Sequence, residues 1–295
     1  MQWKTLLIGW LASLLFIACN NDEPAVDEVV DMNTSPDAYT GYVYRFPNLN
    51  QKMWDRLGTL EEMLKASAVP QSKLRQMSTE GLSQTCLLWP LYINYMAYPT
   101  ASLSQYDAIH IMIDYFNGLE ELTRRAEGGH ALMKLYKYFR IGTETRDHWD
   151  FEVPMSELCS SLRKDYLELL LTTEYWTPHF TRSELRELGW MVEDQILQAI
   201  ADVNQSWRGT LLYSYALWTR ILLCYDTLEG GTLLTSDERD LCEKNIQYLG
   251  MPELEDLEGA VSFIDAKKQV VLGVSAEGIQ STSHIIINEE KTLRR

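Results

Sequence analysis

The chain has 295 residues and a formal net charge of −16 at pH 7, with 46% hydrophobic and 23% charged residues. These proportions are typical of a folded globular protein and exclude a disordered or fibrous chain. The acidic balance argues against a nucleic acid as the main partner, because phosphate binding needs clustered Lys and Arg side chains.

The N-terminus follows the pattern of a bacterial lipoprotein signal peptide. Lys4 precedes a mainly apolar run that ends at Ala18 and is shorter than the roughly 20 residues of a transmembrane span. Ala18 is followed by Cys19, and this end of the run resembles a lipobox, in which the cysteine after a small residue is lipidated and becomes the mature N-terminus. The sequence predicts a signal peptide over 1–18 and lipid attachment at Cys19. The alternative is an ordinary signal peptide that is cut elsewhere.

An acidic segment follows the predicted lipid anchor. Residues 19–36 carry five carboxylates, contain no base and show no periodicity, so we expect a solvated tether. Asp22 and Glu23, directly behind the cysteine, resemble the surface-export signal of lipoproteins in the Bacteroidetes. The resemblance implies an outer-membrane lipoprotein that is exposed at the cell surface.

The body, residues 37–295, shows helical periodicity over most of its length. Capping patterns mark four helix starts, at Thr59 with Glu62, at Ser78, at Thr181 with Glu184, and at Thr235 with Glu238. The segment 211–225 is apolar nearly all round and is predicted to be a central buried helix. Helices are predicted over 48–66, 70–77, 78–98 with a break at Pro90, 103–126, 131–139, from Pro154 onward, 183–203, 211–225 and 236–249.

The two ends of the body have a different pattern. Segment 42–46 alternates like a strand, and segments 269–274 and 283–287 are rich in β-branched residues. We therefore expect a mainly α fold of stacked antiparallel helix pairs in one body, with a small β-sheet formed by the N- and C-terminal segments. Ordered extended tails are the alternative to this sheet.

Two blocks of the body resemble a group of Bacteroidetes hypothetical lipoproteins. The first block, 77–91, has a Ser-Thr-Glu helix start followed by a Cys-Leu pair and Pro90. The second block, 115–125, begins with Tyr-Phe-Asn-Gly and ends with Arg125. The resemblance covers about a third of the chain, and it implies a secreted, lipid-anchored helical protein but no particular activity.

One predicted loop concentrates groups that could bind a ligand. It contains Asp147, His148, Trp149, Asp150 and Glu152. Such a set could ligate calcium through carboxylate oxygens, or stack a sugar ring on Trp149 while the carboxylates bind hydroxyl groups. The alternative is a polar loop whose aromatic side chains pack onto the body.

The remaining chemistry-bearing residues are scattered. Cys86, Cys159, Cys224 and Cys242 lack zinc spacing, and both buried free thiols and a disulfide remain open for them. The five histidines form no metal motif, and most tryptophans are expected to pack in the core. No phosphate-binding glycine loop or serine-hydrolase motif occurs, so we expect neither a cofactor nor a resident metal.

The predicted anchor and the missing catalytic pattern favour one function. We expect a lipid-anchored extracytoplasmic helical protein with a binding or assembly role, rather than an enzyme. Its expected partners are the outer membrane, through the lipid, and either a glycan or a protein ligand. The alternative is an all-α hydrolase or lyase that acts on an extracellular polysaccharide with carboxylates from the Asp147–Glu152 loop.

Overall fold

The fold is mainly helical, as the sequence predicts. A computed structural model describes residues 43–46, 56–57, 60–97, 104–138, 161–201, 208–247 and 254–274. Two 3-10 helices, Tyr92–Ala97 and Thr177–His179, accompany the α-helices. The α-helices are α1 (Leu60–Ala66), α2 (Gln71–Leu74), α3 (Thr79–Leu87), α4 (Gln105–Tyr115), α5 (Asn117–Thr123), α6 (Gly128–Tyr138), α7 (Ser161–Thr172), α8 (Arg182–Ala201), α9 (Arg208–Leu228), α10 (Ser236–Gln247) and α11 (Leu254–Leu272).

Helix α9 lies at the centre of the body and packs against α7, α8, α10 and α11. Its Leu217, Trp218 and Ile221 side chains are fully buried, which confirms the predicted central helix. Helices α8 and α9 run antiparallel, because the first residue of α8, Arg182, donates a hydrogen bond to the carbonyl of Leu228 at the end of α9. None of the helices within the described ranges is long and apolar enough to cross a membrane.

The predicted helix caps at Ser78, Thr181 and Thr235 are confirmed, and the fourth, at Thr59, lies outside the described residues. The Ser78 hydroxyl accepts a hydrogen bond of 3.0 Å from the backbone N–H three residues further on. The Thr181 and Thr235 backbone N–H groups donate to the carboxylates of Glu184 and Glu238, at 2.8 and 2.7 Å. In both pairs the threonine hydroxyl accepts from the glutamate N–H in return. These hydrogen bonds satisfy backbone N–H groups that have no partner within the helix. Each bond joins residues three positions apart, so the local sequence is enough to predict it.

The prediction of a single helix over 103–126 is wrong, because the helix is interrupted at Phe116. Helix α4 ends at Tyr115, and Phe116 adopts an extended conformation with φ −101° and ψ 111° before α5 begins. The Phe116 ring stacks on Trp89 with the ring centroids 4.4 Å apart. The Asn117 side chain exchanges hydrogen bonds of 3.0 and 2.7 Å with the backbone of Val69. Contacts with a distant segment therefore turn a continuous apolar stripe into two helices.

Segment 43–46 does not form the predicted strand. Val43 and Tyr44 are buried in the core, as a core-facing strand would be. However, the Tyr44 N–H donates to the hydroxyl of Thr85 on α3, at 2.9 Å, instead of pairing with another strand. The segment is extended backbone that packs on a helix, and no strand occurs in the part of the chain that the structure describes.

Segment 269–274 is also not a strand, because α11 runs through it to Leu272. The β-branched Val270 and Val271 lie in this helix, and the buried Ile264 and Val271 share its inner face. Gly273, with φ +70°, ends the helix, and its N–H donates to the carbonyl of Gln269 at 2.9 Å. Packing against α8 and α9 therefore overrides the β preference of the valines. The third predicted strand, 283–287, lies outside the described residues.

The core contains two clusters of buried charge, both of which touch α9. In the first, Glu168 accepts hydrogen bonds from Tyr136 at 2.5 Å and Ser214 at 2.8 Å, and the Lys164 ammonium lies 2.9 Å away. In the second, Lys268 contacts carboxylates of α8 and α11. Charges at this depth need such partners, since the desolvation of an unpaired ion costs several kcal/mol.

The cysteines among the described residues are free thiols buried in the core. Cys86, Cys224 and Cys242 form no disulfide. Burial raises the pKa of all three thiols, in the case of Cys242 to about 12. They therefore behave as small apolar side chains and not as nucleophiles. Cys159 lies outside the described residues.

Candidate functional site

The residues predicted to bind a ligand lie outside the described residues. Asp147, His148, Trp149, Asp150 and Glu152 belong to the connection between α6 and α7, and this hypothesis stays a prediction. The predicted lipid attachment residue and the tether also lie outside the described ranges. Among the residues that the structure describes, no three His, Cys, Asp or Glu side chains come together to hold a metal ion.

A surface cavity lies at the opposite end of α6, where that helix begins. It has a volume of about 390 Å³ and is lined by the end of α5, the start of α6 and the connection between α7 and α8. We call it the α5–α6 pocket, and its lining residues are Thr123, Arg124, Arg125, Ala126, Gly129, His130, Tyr175, Trp176, His179 and Phe180. The volume falls in the range of about 300–1,000 Å³ that is typical of small-molecule sites.

Aromatic side chains form the inner wall of the α5–α6 pocket. Trp176 and Phe180 are 1% and 2% exposed, and the half-buried Tyr175 lies with its ring centroid 6.2 Å from that of Trp176. A Cβ atom at Gly129 would lie 3.0 Å from the Phe180 ring and 3.3 Å from Trp176. The glycine therefore lets α6 begin directly against the two buried rings.

The inner wall also holds a polar group without a partner. The indole N–H of Trp176 is buried, and no hydrogen bond to it exists among the described residues. A buried donor that lacks a partner costs roughly 1–3 kcal/mol, so such groups call for an explanation.

The charged groups of the α5–α6 pocket are paired. Arg124 and Arg125 each contact a glutamate one turn earlier on α5. The Nε2 atom of His130 lies 2.9 Å from the carboxylate of Glu184. The backbone N–H of Thr181, its hydroxyl and the His130 imidazole hold the pKa of Glu184 below its usual range. The Nδ1 atom of His130 also lies 3.4 Å from the carboxylate of Glu127, so the pocket presents donors and acceptors side by side.

Arg125 also has a structural role. Its guanidinium donates to the backbone carbonyls of Met77 at 2.7 Å and Leu74 at 3.1 Å. These bonds fasten the end of α5 to the chain that leads into α3, and thereby join the two blocks of the sequence resemblance. The Arg124 side chain, by contrast, is 65% exposed to solvent.

A cluster of titratable groups adjoins the pocket through Tyr175. The Glu174 carboxylate accepts a hydrogen bond of 2.5 Å from the Tyr106 hydroxyl and lies 3.0 Å from Nε2 of His110. The Nδ1 atom of His110 faces the carbonyl of Tyr106 at 2.8 Å. Both ring nitrogens therefore lie within hydrogen-bond distance of an oxygen atom.

Electrostatics stabilise the same cluster. Partial burial would raise the pKa of Glu174, but the hydrogen bonds from Tyr106 and His110 hold it below its usual range. Burial and the bond to Glu174 raise the pKa of Tyr106 well above its usual value. Arg220 donates to the Tyr106 hydroxyl at 3.0 Å and to the carbonyl of Thr172 at 2.6 Å. The hydroxyl thus stays protonated near neutral pH.

Sequence reasoning missed the α5–α6 pocket because its two halves lie about fifty residues apart. The pair Gly128-Gly129 reads as a simple break between helices, and Trp176 reads as a core residue. One local signal was present, since Trp176, His179 and Phe180 form a short aromatic and polar run around Pro178. Nothing in the sequence places that run beside the start of α6.

Comparison with known proteins provides no further assignment. No protein-family model, no curated protein and no solved structure matches the chain. Fold and function are therefore argued from the chain's own residues.

Proposed function

We propose that the protein is a lipid-anchored, extracytoplasmic binding protein of the outer membrane, with its ligand site in the α5–α6 pocket. Cys19 would carry the lipid, and residues 19–36 would hold the body away from the membrane. The lipid-anchored location, though no particular activity, is what the resemblance of blocks 77–91 and 115–125 to the Bacteroidetes lipoprotein group implies. Surface exposure would follow from Asp22 and Glu23 behind the anchor.

One observation carries the binding role, namely the α5–α6 pocket itself. It combines a ligand-sized volume with buried aromatic rings and with polar groups that are held in place by ion pairs and hydrogen bonds. Binding sites typically combine an apolar wall with a few polar groups in this way. The groups are held by α5, α6 and a short connection that Trp176 and Phe180 fix to the core, so little ordering is needed on binding.

The anchor is tested by expression of the full chain in a Bacteroidetes host. The wild-type protein should incorporate labelled fatty acid and sediment with the outer membrane, and protease added to intact cells should remove it. Cys19→Ala should lose the label and leave the membrane fraction. A Cys19→Ala protein that still carries fatty acid would refute the anchor, and protection from protease would refute surface exposure.

The binding role is tested by a thermal-shift screen of the full chain against sugars, peptides, amino acids and organic acids. A ligand present at one hundred times its Kd stabilises the folded protein by about 2.7 kcal/mol. Tyr175→Ala should weaken the effect of any true pocket ligand. Tyr115→Ala is a matched control, because Tyr115 is 57% exposed and does not line the pocket. A screen without a Tyr175-dependent ligand would contradict the proposed site.

A hydrolase or lyase acting on an extracellular polysaccharide is the second candidate. The cluster of Tyr106, His110 and Glu174 favours it, because hydroxyl, imidazole and carboxylate groups meet beside a pocket. Catalysis would appear as release of reducing ends or unsaturated sugars from a polysaccharide panel. Glu174→Gln should abolish such activity if the cluster acts, and Asp150→Ala should do so if the predicted loop acts. Binding without turnover would support the binding role instead.

A further inference from the structure

A second surface cavity lies between α9 and α10, and the proposed function does not involve it. It has a volume of about 280 Å³ and is lined by the second half of α9, by α10 and by Pro178 of the connection between α7 and α8. We call it the α9–α10 pocket. Pro178, Leu223 and Leu228 form its apolar wall, and Leu228 is 39% exposed. The volume is close to the lower end of the range for ligand sites, so the cavity admits only a small molecule.

The α9–α10 pocket contains a guanidinium group whose hydrogen-bond partners are all neutral. Nε of Arg220 donates to the carbonyl of Thr172 at 2.6 Å, and Nη2 donates to the Tyr106 hydroxyl at 3.0 Å. No carboxylate of the described residues forms an ion pair with Arg220. A guanidinium group has five N–H groups, so both N–H groups of Nη1 and one of Nη2 remain for a ligand. Two parallel N–H groups of this kind match the two oxygens of a carboxylate.

The same pocket contains a carboxylate without a partner. Glu243 on α10 is exposed, and it forms no hydrogen bond or ion pair with any other described residue. The other two charged groups of the wall balance each other, because Nε of Arg239 donates to the carboxylate of Asp226 at 2.6 Å. Asp226 also accepts from the backbone N–H groups of Leu233 and Leu234. The wall therefore offers one cation and one anion to a ligand.

This pattern of charges discriminates between ligand classes. A simple anion on Arg220 would share a small cavity with the carboxylate of Glu243, and a simple cation on Glu243 would share it with the guanidinium. Like charges in one site repel each other, and either ligand would leave one charged group of the wall unused. A ligand that carries both charges pairs with both groups. The apolar wall can then bury the hydrocarbon part of the same ligand.

We infer that the α9–α10 pocket binds a small zwitterionic amino acid, with its carboxylate on Arg220, its ammonium group on Glu243 and its hydrocarbon part against Leu223 and Leu228. The guanidinium is held in place before binding, because Tyr106 is itself fixed by its hydrogen bond of 2.5 Å to Glu174. The site is separate from the α5–α6 pocket. The inference therefore goes beyond the proposed function and does not depend on it.

The test is isothermal titration of the full chain, purified in a nonionic detergent. The probes are leucine and straight-chain amino acids in which the distance between ammonium and carboxylate increases, which covers the spacing of the two charges in the wall. At least one of them should bind saturably. Its N-acetyl derivative, which lacks the cation, and its amide, which lacks the anion, should each bind at least tenfold more weakly. These derivatives test both contacts without any change to the protein.

Substitutions test the same contacts from the side of the protein. Glu243→Gln should weaken amino-acid binding by about 3–10-fold, which corresponds to about 0.7–1.4 kcal/mol. Arg220→Lys should also weaken it, because lysine lacks the planar fork of N–H groups. Asp240→Asn is the matched control for Glu243, since Asp240 is an exposed acid on the same helix that does not line the pocket, and it should leave binding unchanged. Far-UV circular dichroism of each variant shows that it folds.

The outcomes separate this inference from the proposed function. An N-acetyl derivative or an amide that binds as tightly as its parent amino acid would overturn the zwitterionic ligand class. Binding that depends on Tyr175 and not on Glu243 would place the amino acid in the α5–α6 pocket, which would overturn this inference and support the proposed function. The lack of saturable binding by every amino acid in the panel would also overturn the inference, and it would leave a Tyr175-dependent ligand of another class unaffected.

Discussion

Removal of the buried ammonium group of Lys268 provides the sharpest test of how the helices are held together. Lys268 on α11 is fully buried and lies 2.6 Å from the carboxylate of Glu193 on α8 and 3.0 Å from that of Asp265. Trp218 of α9 donates to Glu193 at 2.7 Å, and the Tyr215 hydroxyl donates to Asp265 at 3.3 Å. We call these five residues the Lys268 cluster, and it joins three helices.

The substitution Lys268→Met removes the cation but keeps an unbranched side chain of similar length. The buried carboxylate of Glu193 then loses the ammonium that it contacts, although Trp218 still donates to it. Loss of one partner from a buried pair costs about 3–5 kcal/mol, because the remaining charge is uncompensated. We expect the free energy of unfolding to fall by this amount at pH 7.

The measurement is urea denaturation followed by tryptophan fluorescence, with Lys267→Met as the matched control. Lys267 is the neighbouring residue, but it is 24% exposed and its partner Glu238 lies at the surface, so its loss should cost about 1 kcal/mol or less. The double variant Lys268→Met with Glu193→Gln should recover about 1–3 kcal/mol relative to Lys268→Met alone. The amide of glutamine can still accept the Trp218 N–H.

Two results would refute this reasoning. One is equal destabilisation by Lys268→Met and Lys267→Met, because burial would then have no energetic consequence. The other is a double variant that is less stable than Lys268→Met alone, since the second change removes the charge of Glu193 that the ammonium no longer balances.

Three further substitutions test the helix caps, the close packing at the pocket and the titratable cluster. Ser78→Ala should lower the free energy of unfolding by about 1 kcal/mol in urea denaturation, whereas Ser78→Asp should retain the cap on α3. Gly128→Ala should lower the melting temperature, because the added Cβ would lie 2.5 Å from the carbonyl oxygen of Leu122. We expect this overlap to outweigh the roughly 1 kcal/mol gain in helix propensity. A variant that is more stable than the wild type would contradict this packing. Glu174→Gln should destabilise the protein only modestly, since the carboxylate is half-exposed. The Glu174 carboxyl has a lowered pKa in the folded state. Its contribution to the free energy of unfolding is therefore present above the pKa of the unfolded chain and disappears as the pH falls through the pKa of the folded protein. A loss of stability in Glu174→Gln that persists in acid would contradict this sign.

The sequence predicts the features of the fold that depend on neighbouring residues. The caps at Ser78, Thr181 and Thr235 are bonds across three residues, and the burial of α9 follows from its own apolar composition. The break at Phe116 could not be predicted in this way, because the apolar stripe continues through it. It depends on the stacking of Phe116 against Trp89, a contact that only the folded chain provides.

The buried charges and the α5–α6 pocket could not be predicted from the sequence either, because they too depend on contacts that only the folded chain provides. Lys268 directly precedes the β-branched run 269–274, and its burial in α11 depends on a contact with Glu193 on another helix, which the sequence does not show. The α5–α6 pocket brings together His130 of α6 and Trp176 of the connection between α7 and α8, which are distant in the sequence. Composition could show that seven tryptophans follow the predicted signal peptide, but not which of them lines a cavity.

The depth of an ion pair indicates what it contributes to the protein. The Lys268 cluster is almost completely buried, so its partners decide whether the three helices pack at all. The His130–Glu184 pair at the pocket is 38% and 29% exposed, and pairs at such depth contribute about 0–1 kcal/mol. Stability therefore gives little reason for two carboxylates, those of Glu184 and Glu127, to lie beside the His130 imidazole at an aromatic wall. Ligand binding in the α5–α6 pocket gives a reason, because these partly exposed carboxylates keep lone pairs that can accept hydrogen bonds from a ligand.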